Sequence, residues 1–198
     1  MKIIIVGGTG TLGKAIVKEL SSRHEVIVAA RHGDVQLDIT NPDSIEKMYQ
    51  SIGKFDALVS ATGSVHFGSL TEMTVDQFQI GLQSKLMGQV NLVLRGLSYI
   101  NDSGSFTLTS GILSHDPIRY GVSASMVNGG LDSFVKAAAI ELPRGVRINI
   151  VSPTVLTESM GAYGDYFRGF EPVPAALAAK AFSKSVEGAQ TGQVYSVG

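Results

Sequence analysis

Short continuous apolar runs alternate along this chain with stripes of apolar residues at helical spacing. Ile3 to Val6 is a β-branched run bounded by glycine, which is typical of a strand buried on both faces. The next residues place apolar side chains on one helical face and lysine or glutamate on the other, namely Leu12, Ala15, Ile16, Val17 and Leu20 on the apolar side. The chain therefore opens with a predicted strand, turn and helix.

The same alternation continues to the C-terminus. Strands are predicted at 25–30, 35–38, 55–61, 104–110, 146–151 and 192–197, and helices at 44–51, 73–100, 122–142 and 174–185. Strands that alternate with helices indicate a parallel sheet with helices on both faces. Because no linker, repeat or low-complexity tract divides residues 1–198, we expect one α/β domain, a three-layer, doubly wound, Rossmann-like parallel sheet.

The link between the second and third predicted strands is unusually short. Parallel strands normally need a crossover of about a dozen residues or more. Either a helix has been lost here or the pairing of these strands is minimal, and we expect an open cleft on this side.

The turn after the first strand reads Gly7-Gly8-Thr9-Gly10-Thr11-Leu12-Gly13. Glycines at 7, 10 and 13 allow a tight turn, let backbone N–H groups approach a pyrophosphate, and let the helix pack closely on the strand. The N-terminus of the following helix then attracts the phosphates. This context predicts a dinucleotide site, with a plain strand-to-helix connector as the alternative.

Arg31 follows the second predicted strand, where the adenosine ribose binds in this fold. An acidic residue there favours a free 2′-hydroxyl group, and an arginine favours a 2′-phosphate. Arg31 therefore predicts NADP(H) over NAD(H). A solvated surface arginine is the alternative.

Composition narrows the possible partners. The 198 residues are 44% hydrophobic and 17% charged, with a net charge of −1 and no cysteine. We therefore expect no nucleic-acid or membrane partner, no disulfide and no thiol chemistry. His24, His32, His66 and His115 lack metal-ligand spacing, so no metal is expected. With no signal-like segment near Met1, a cytoplasmic location is the default expectation.

Two further features have more than one interpretation. Lys85 lies among glycines on a mostly apolar helical face, where it either extends its ammonium group to solvent or faces something anionic. The segment 158–172, which contains Tyr163, Tyr166, Phe167 and Phe170, is either a lid over a substrate or an aromatic cover on a small core.

Short landmarks are spread along the chain: GGTGTLG at 7–13, Asp38-Ile39, SATG at 60–63, Thr109-Ser110, VSASM at 122–126, Arg147-Ile148-Asn149 with 153–157, and the C-terminal TGQVYSVG. Together they resemble the short-chain dehydrogenase/reductase family over nearly the whole chain. The resemblance implies a seven-stranded parallel sheet, an NAD(P) cofactor across the strand ends, a small-molecule substrate, and a homodimer or homotetramer built through two long helices.

The resemblance also implies roles for individual residues. By position they are Gly7, Thr9, Gly10, Thr11 and Leu12 at the pyrophosphate, Arg31 at the 2′-phosphate, Asp38 and Ile39 at adenine, Ala61, Thr62 and Gly63 at the ribose, and Pro153, Thr154 and Val155 at the nicotinamide. Ser110 matches the family's catalytic serine, which hydrogen-bonds the substrate oxygen.

The departures from the family concern its acid–base chemistry. The family's Tyr-x-x-x-Lys pair aligns with Val122 and Met126, and its helix asparagine aligns with Lys85. Valine and methionine supply no proton donor, and losing a positioned acid or base commonly lowers the rate about 100- to 10,000-fold. Replacement donors in this chain are Lys85, His66, His115 and Tyr120, the last only if the helix begins after it.

Three functions remain open at this point. One is an NADP(H)-dependent oxidoreductase that acts on a small carbonyl or alcohol with Ser110, Tyr120 and Lys85 as the candidate catalytic groups. The second is a cofactor-binding sensor or interaction module without turnover, which the missing tyrosine and lysine favour. The third is an isomerase or lyase that uses the bound cofactor without net redox change.

Overall fold

The computed structural model describes residues 1–198 and contains one parallel sheet of seven strands. The strands are β1 (Lys2–Val6), β2 (Glu25–Ala30), β3 (Val35–Gln36), β4 (Phe55–Ser60), β5 (Ile100–Thr109), β6 (Arg147–Pro153) and β7 (Val194–Val197). Their order across the sheet is β3-β2-β1-β4-β5-β6-β7. The order reverses between β1 and β4, which creates the switch point at which open α/β sheets bind ligands.

Seven helices cover the sheet. They are α1 (Thr11–Leu20), α2 (Pro42–Ile52), α3 (Val75–Gly81), α4 (Gly88–Gly96), α5 (Val122–Glu141), α6 (Met160–Tyr163) and α7 (Ala175–Glu187). None of them combines the length and apolar character that a membrane span requires. The strand order and the helices on both faces of the sheet confirm the doubly wound, three-layer, single-domain fold that the sequence predicts.

The side chains of β1 alternate between two apolar cores. Ile4 and Val6 join a core of 20 buried residues that also includes side chains of α2, α4 and α5. Ile3 and Ile5 join a core of 10 buried residues under α1 and α7. Because successive strand residues point to opposite faces, an uninterrupted apolar run is what a strand covered on both sides requires.

The short link after β2 is a minimal pairing. Only Ala29 and Ala30 pair with β3, and residues 31–34 fold back beside β2. The Asp34 carboxylate accepts a hydrogen bond from the Val28 N–H at 3.0 Å, in place of a backbone acceptor. A Cβ atom on Gly33 would lie 2.7 Å from the Val28 carbonyl oxygen, so this close approach requires glycine.

The prediction of a single helix at 73–100 is wrong in two respects. It is divided into α3 and α4 by a π-helical segment at 82–87, and it ends at Gly96. Arg144 donates hydrogen bonds to the carbonyl oxygens of Leu97 and Ile100 at 2.7 and 3.1 Å, which ends the helix and begins β5. The apolar Tyr99-Ile100 pair continues the helical stripe in sequence, so only this tertiary contact marks the boundary.

Helices α1 and α7 are joined by a polar cluster around Glu187. Its carboxylate accepts hydrogen bonds from Arg23 at 2.9 Å and Ser183 at 2.5 Å, and lies 2.8 Å from the His24 ring nitrogen Nε2. The hydrogen bond from Arg23 is the largest of the effects that lower the pKa of Glu187 to about 2. The ionised carboxylate is therefore the form that the folded protein stabilises.

We expect Glu187→Gln to lower the melting temperature at pH 7 by roughly 2–4 °C, because partly exposed ion pairs contribute up to about 1 kcal/mol. An acid with a lowered pKa contributes stability above its unfolded pKa and loses it as the pH falls. The gap between variant and wild type should therefore close between about pH 4.5 and 2. Thermal melts from pH 2 to 7 test this, with Glu171→Gln as the control, and a gap independent of pH would contradict it.

Candidate functional site

A cleft of about 820 Å³ lies along the carboxyl ends of the first strands, at the switch point of the sheet. Eight of the predicted cofactor residues line it: Gly7, Thr9, Gly10, Arg31, Asp38, Ile39, Ala61 and Thr62. His32, Thr40, Ser64, Ile80, Gln83 and Ser84 also line it and were not predicted. The structure thus brings together the glycine turn, the end of β2 and the end of β4 in one cavity.

The glycine turn leaves the start of α1 open. Gly7 has a positive φ of 80° and Gly10 is the N-cap, with no side chain bonded to the first-turn N–H groups. Such free N–H groups, together with the positive end of the helix dipole, form an anion site. Thr11 and Leu12 lie in this first turn. The turn therefore fits a pyrophosphate.

The space available for a side chain differs between Gly10 and Gly13. A Cβ atom on Gly13 would overlap the carbonyl oxygen of Gly7, so the contact between helix and strand leaves no room for a side chain. A Cβ atom on Gly10 would meet only that same oxygen, at an ordinary 3.5 Å. Gly13 is thus needed for the fold, whereas Gly10 leaves space that the folded protein does not itself use.

The adenine end of the cleft combines a cation with an ionised acid. Arg31 is exposed at the tip of β2. The side chain and the backbone N–H of Thr40 both donate to the Asp38 carboxylate, at 2.7 and 2.9 Å, and these bonds, with a smaller contribution from Arg31, lower the pKa of Asp38. Asp38 is therefore an acceptor at neutral pH, suited to an adenine amino group.

Buried hydroxyl groups without a protein partner mark the other strand ends. Ser60 ends β4, Ser110 follows β5, and Ser152 and Thr154 lie at the end of β6; each is at most 5% exposed. None of these four hydroxyl groups hydrogen-bonds within the protein. Since buried polar groups are normally satisfied, hydroxyls left free along one edge of the sheet fit a polar ligand, as the cofactor implied by the fold would be.

Gln89 holds the end of β5 in place and was not identified from the sequence. Its fully buried amide donates to the carbonyl oxygens of Thr109 and Lys85 at 2.9 and 3.1 Å, and accepts from the Thr109 N–H at 2.9 Å. Ser110 follows Thr109 directly, so one amide fixes Ser110 relative to the helix that carries Lys85. A buried glutamine in an apolar helix face is the signal that points to such a contact.

Lys85 lies within the π-helical segment at 82–87, a distortion found frequently at functional sites. Its aliphatic stem packs against Gly63, where an added Cβ atom would lie 2.7–2.9 Å from the Lys85 Cα, Cβ and Cγ atoms. Burial, partly opposed by the charge of Asp132, lowers the pKa of Lys85 to about 8. The amine is therefore available in both protonation states near neutral pH.

The other candidate donors lie on loops beyond β4 and β5. Helix α5 begins at Val122, so Tyr120 precedes the helix, as the sequence argument required. Tyr120 is 44% exposed and has a φ of 65°, and its ring lies edge-on to that of Tyr166. His66 approaches Gly68, and His115 lies 3.3 Å from the Ser114 hydroxyl. No group of three or more histidine, cysteine, aspartate or glutamate side chains is arranged so that it could hold a metal ion.

The predicted nicotinamide residues lie beyond the cleft described above. Pro153 ends β6, and Thr154 and Val155 follow it. Val155 belongs to a small apolar cluster at the carboxyl edge of the sheet, with Leu113, Ala124 and Phe167. The carboxyl ends of β4, β5 and β6 thereby share one edge, with the cofactor cleft at one end and this cluster at the other.

A parallel sheet with this strand order, and a glycine turn at its switch point, defines a dinucleotide-binding fold. Residues 2–195 match the family model described as enoyl-(acyl carrier protein) reductase. The chain belongs to the short-chain dehydrogenase/reductase family, as the sequence resemblance predicted. The fold, the site and this match together assign it to the oxidoreductases of the short-chain dehydrogenase type.

Among curated proteins, the chain is 25% identical over 182 residues to the 3-oxoacyl-[acyl-carrier-protein] reductase FabG of Buchnera aphidicola, covering 79% of this chain and 74% of that protein. It is 24% identical over 179 residues to human L-xylulose reductase, covering 81% and 73%. These relatives share the family at low identity.

Among solved structures, the protein lin1944 from Listeria innocua is 57% identical and superposes with a TM-score of 0.99, each chain fully covered. A small-chain dehydrogenase solved in complex with NADPH is 26% identical, with a TM-score of 0.89 over 100% of this chain and 96% of that one. Nucleotide binding is thus a property of a close structural relative.

We expect Gly10→Ala to fold normally and to lose cofactor affinity, because its methyl group would occupy the space next to the free N–H groups of α1. Losing hydrogen bonds to a charged group should weaken binding of either nicotinamide dinucleotide roughly 10- to 100-fold. Gly13→Ala should instead lower the melting temperature without any ligand, since its methyl group overlaps backbone. Calorimetric titration and thermal melts measure both, with Gly161→Ala as the control; unchanged affinity in Gly10→Ala would mean that the turn is only a connector.

Proposed function

We propose that the protein is an NADP(H)-dependent oxidoreductase that interconverts a small carbonyl compound and its alcohol, with Ser110 orienting the substrate and a non-standard proton donor. The observation that carries the proposal is the buried hydroxyl group of Ser110, which has no protein partner and lies at the edge shared with the cofactor cleft. A hydroxyl held in this way is available to donate a hydrogen bond to a substrate oxygen.

The remaining chemistry needs a proton. A nicotinamide cofactor held in the cleft by the glycine turn and Arg31 would supply a hydride for the carbonyl carbon of the substrate. Ser110 donates a hydrogen bond to the carbonyl oxygen and so polarises it, and the Lys85 ammonium group delivers the proton that converts this oxygen to a hydroxyl. Lys85 is left as a neutral amine, which solvent reprotonates; oxidation of an alcohol runs through the same groups in reverse.

Three observations support Lys85 over the other donors. The side-chain stem of Lys85 packs on Gly63, at the predicted ribose-binding position. The Gln89 amide group bonds the backbone carbonyl oxygens of both Lys85 and Thr109, which ties Lys85 to the strand end next to Ser110. The lowered pKa of Lys85, about 8, suits a group that both gives and takes a proton. Tyr120 is the second candidate, because it precedes α5. Tyr120 is 44% exposed and lies at the far, aromatic end of the strand edge, which favours a binding role for it.

The NADP(H) preference rests on Arg31. Arg31 lines the cleft at the tip of β2 together with Asp38, whose carboxylate already accepts a hydrogen bond from Thr40, and Arg31 itself forms no side-chain hydrogen bond or ion pair within the protein. Its guanidinium group is therefore free to bind a 2′-phosphate, with which it makes charge-assisted hydrogen bonds.

A second function, a cofactor-dependent sensor without turnover, is favoured by one observation. Val122 and Met126 stand where the family has its tyrosine and lysine, and Met126 is 44% exposed with no role in the core. Titration with NADPH, NADP, NADH and NAD, followed by absorbance assays on carbonyl compounds, distinguishes an enzyme from a sensor.

We also propose that the protein assembles as a homodimer or homotetramer. Exposed apolar residues on α4 and α5, namely Leu94 and Ile140, support this proposal.

We expect Arg31→Glu to weaken NADPH binding roughly 10- to 100-fold and to leave NADH binding within about threefold, because a hydrogen-bonded charge pair with the 2′-phosphate is lost. Lys180→Glu makes the same change in charge at an exposed position of α7 and serves as the control. Calorimetry with both cofactors measures the effect. Equal losses for NADPH and NADH would remove Arg31 from the 2′-phosphate site.

The role of Lys85 predicts a pH dependence with a definite sign. Because the donor must be protonated, kcat/KM for carbonyl reduction should fall as the pH rises through about 8, and kcat/KM for alcohol oxidation should rise through the same value. Lys85→Gln should lower both about 100-fold or more and abolish this limb. Tyr120→Phe should keep it; loss of the limb in Tyr120→Phe, and not in Lys85→Gln, would transfer the role to Tyr120.

A further inference from the structure

Four aromatic side chains form a continuous row at the carboxyl edge of the sheet, which we call the aromatic wall: Phe67, Tyr120, Tyr163 and Tyr166. The ring of Phe67 lies 6.0 Å from those of both Tyr163 and Tyr166, measured between centroids. The ring of Tyr166 lies 6.4 Å from that of Tyr120, at an interplanar angle of 86°. Three separate segments, which follow β4, β5 and β6, supply these rings, and Tyr163 is the last residue of α6.

The wall is next to the proposed reaction centre. Phe67 packs on the small cluster that contains Val155, the predicted nicotinamide contact, and Leu113, three residues beyond Ser110. The same cluster contains Ala124, in the first turn of α5. The cofactor cleft lies at the other end of this edge, so we expect a substrate at Ser110 to meet the wall on the side away from the cofactor phosphates.

The aromatic segment is both a cover and an open surface. Phe167 is 8% exposed and closes the small cluster, whereas Tyr163 and Tyr166 are 42% and 41% exposed and lie outside it. Tyr120 is 44% exposed. Three of the chain's six tyrosines thus present ring surface to solvent at one place, although aromatic rings are normally used to bury apolar area.

The wall is held in place by its backbone. Tyr120 adopts a left-handed conformation with a φ of 65°, which is unfavourable for a bulky residue, and its carbonyl oxygen accepts a hydrogen bond from the Gly68 N–H at 2.9 Å. That bond ties the loop after β4 to the loop after β5. Strained residues maintained in this way cluster at binding sites.

We propose that the aromatic wall is the substrate-binding surface and that it selects planar aromatic carbonyl compounds over saturated ones of the same size. The proposal rests on the proposed function, since it names the substrate class of that site. The rings of the wall are tilted or edge-on to one another, with centroids 6.0–6.4 Å apart, so parts of their faces and edges remain uncovered. A planar aromatic ring of a substrate can stack on these uncovered faces and edges. Arg119 lies over the ring of Tyr120, with its guanidinium carbon 5.5 Å from the ring centroid, and this cation–π contact helps to hold the ring in place.

The first test compares acetophenone with cyclohexyl methyl ketone, which have the same number of carbon atoms and differ in the planarity of the ring. The ratio of their kcat/KM values is measured with NADPH in wild type, Tyr166→Leu and Tyr166→Phe. Tyr166 lies between Phe67 and Tyr120, so its loss interrupts the wall. Comparing variants cancels the difference in intrinsic reactivity between the two ketones.

We expect the preference for acetophenone to fall roughly three- to tenfold in Tyr166→Leu, the typical value of one aromatic contact, and to stay within about twofold in Tyr166→Phe. Tyr163→Leu, a change at an exposed position on the same segment, should give a fall in the same direction. A ratio that is unchanged in both leucine variants would overturn the proposal, whatever the absolute rates.

The second test does not depend on turnover. Benzamide and cyclohexanecarboxamide, neither of which is reduced, are titrated into the cofactor-loaded protein while its tyrosine emission is followed, which is possible because the chain has no tryptophan. Tighter binding of benzamide, lost in Tyr166→Leu, supports the wall even if no ketone is reduced and the oxidoreductase proposal fails. Equal binding of the two amides overturns the wall even if ketones are reduced.

Discussion

The burial of β1 on both faces is the constraint on which the rest of the structure depends. Ile3 and Ile5 fill one core and Ile4 and Val6 the other, so β1 has no freedom to shift in register without moving every side chain to the wrong face. The strand then ends at a fixed height at the switch point of the sheet. Gly13 brings α1 against the carbonyl oxygen of Gly7, and the unpaired N–H groups of α1 open into the cleft.

The site is built from groups that the fold supports and leaves unpaired. The ends of β4, β5 and β6 carry buried hydroxyls without partners, while the backbone next to them is held tightly by the Gln89 amide and by the bond from Thr109 Oγ1 to the Ser60 carbonyl oxygen at 2.5 Å. Buried hydroxyls that lack a partner are unfavourable in the free protein. The surrounding backbone holds these hydroxyl groups in position for a ligand that hydrogen-bonds to them, whereas the polar groups of a core have their partners within the protein.

Lys85 shows how such a frame changes the chemistry of one side chain. In a regular helix from 73 to 100 it would be one lysine on an apolar face. The π-helical segment, the close contact with Gly63 and the shared hydrogen bond through Gln89 place it instead beside the strand ends, where burial lowers its pKa. The sequence resemblance aligns the family's acid–base pair with Val122 and Met126, and we propose that this amine exchanges the proton in their place.

The sequence by itself determined the sheet, the glycine turn and the family, because these depend on local periodicity and on short motifs: the run at Ile3 to Val6, the glycines of the turn, and the landmarks near Asp38, Ser110 and Asn149. Only the tertiary structure decided where the helix before β5 ends, what Gln89 does and which aromatic rings remain open. Arg144 donates a hydrogen bond to the carbonyl oxygen of Leu97, at the end of that helix, from 47 residues away in sequence. The rings of Phe67, Tyr120 and Tyr166 come from three segments that are distant in the chain and lie side by side only in the fold. Contacts between residues distant in the chain leave no periodic trace in it, so the fold was predictable and the substrate side of the site was not.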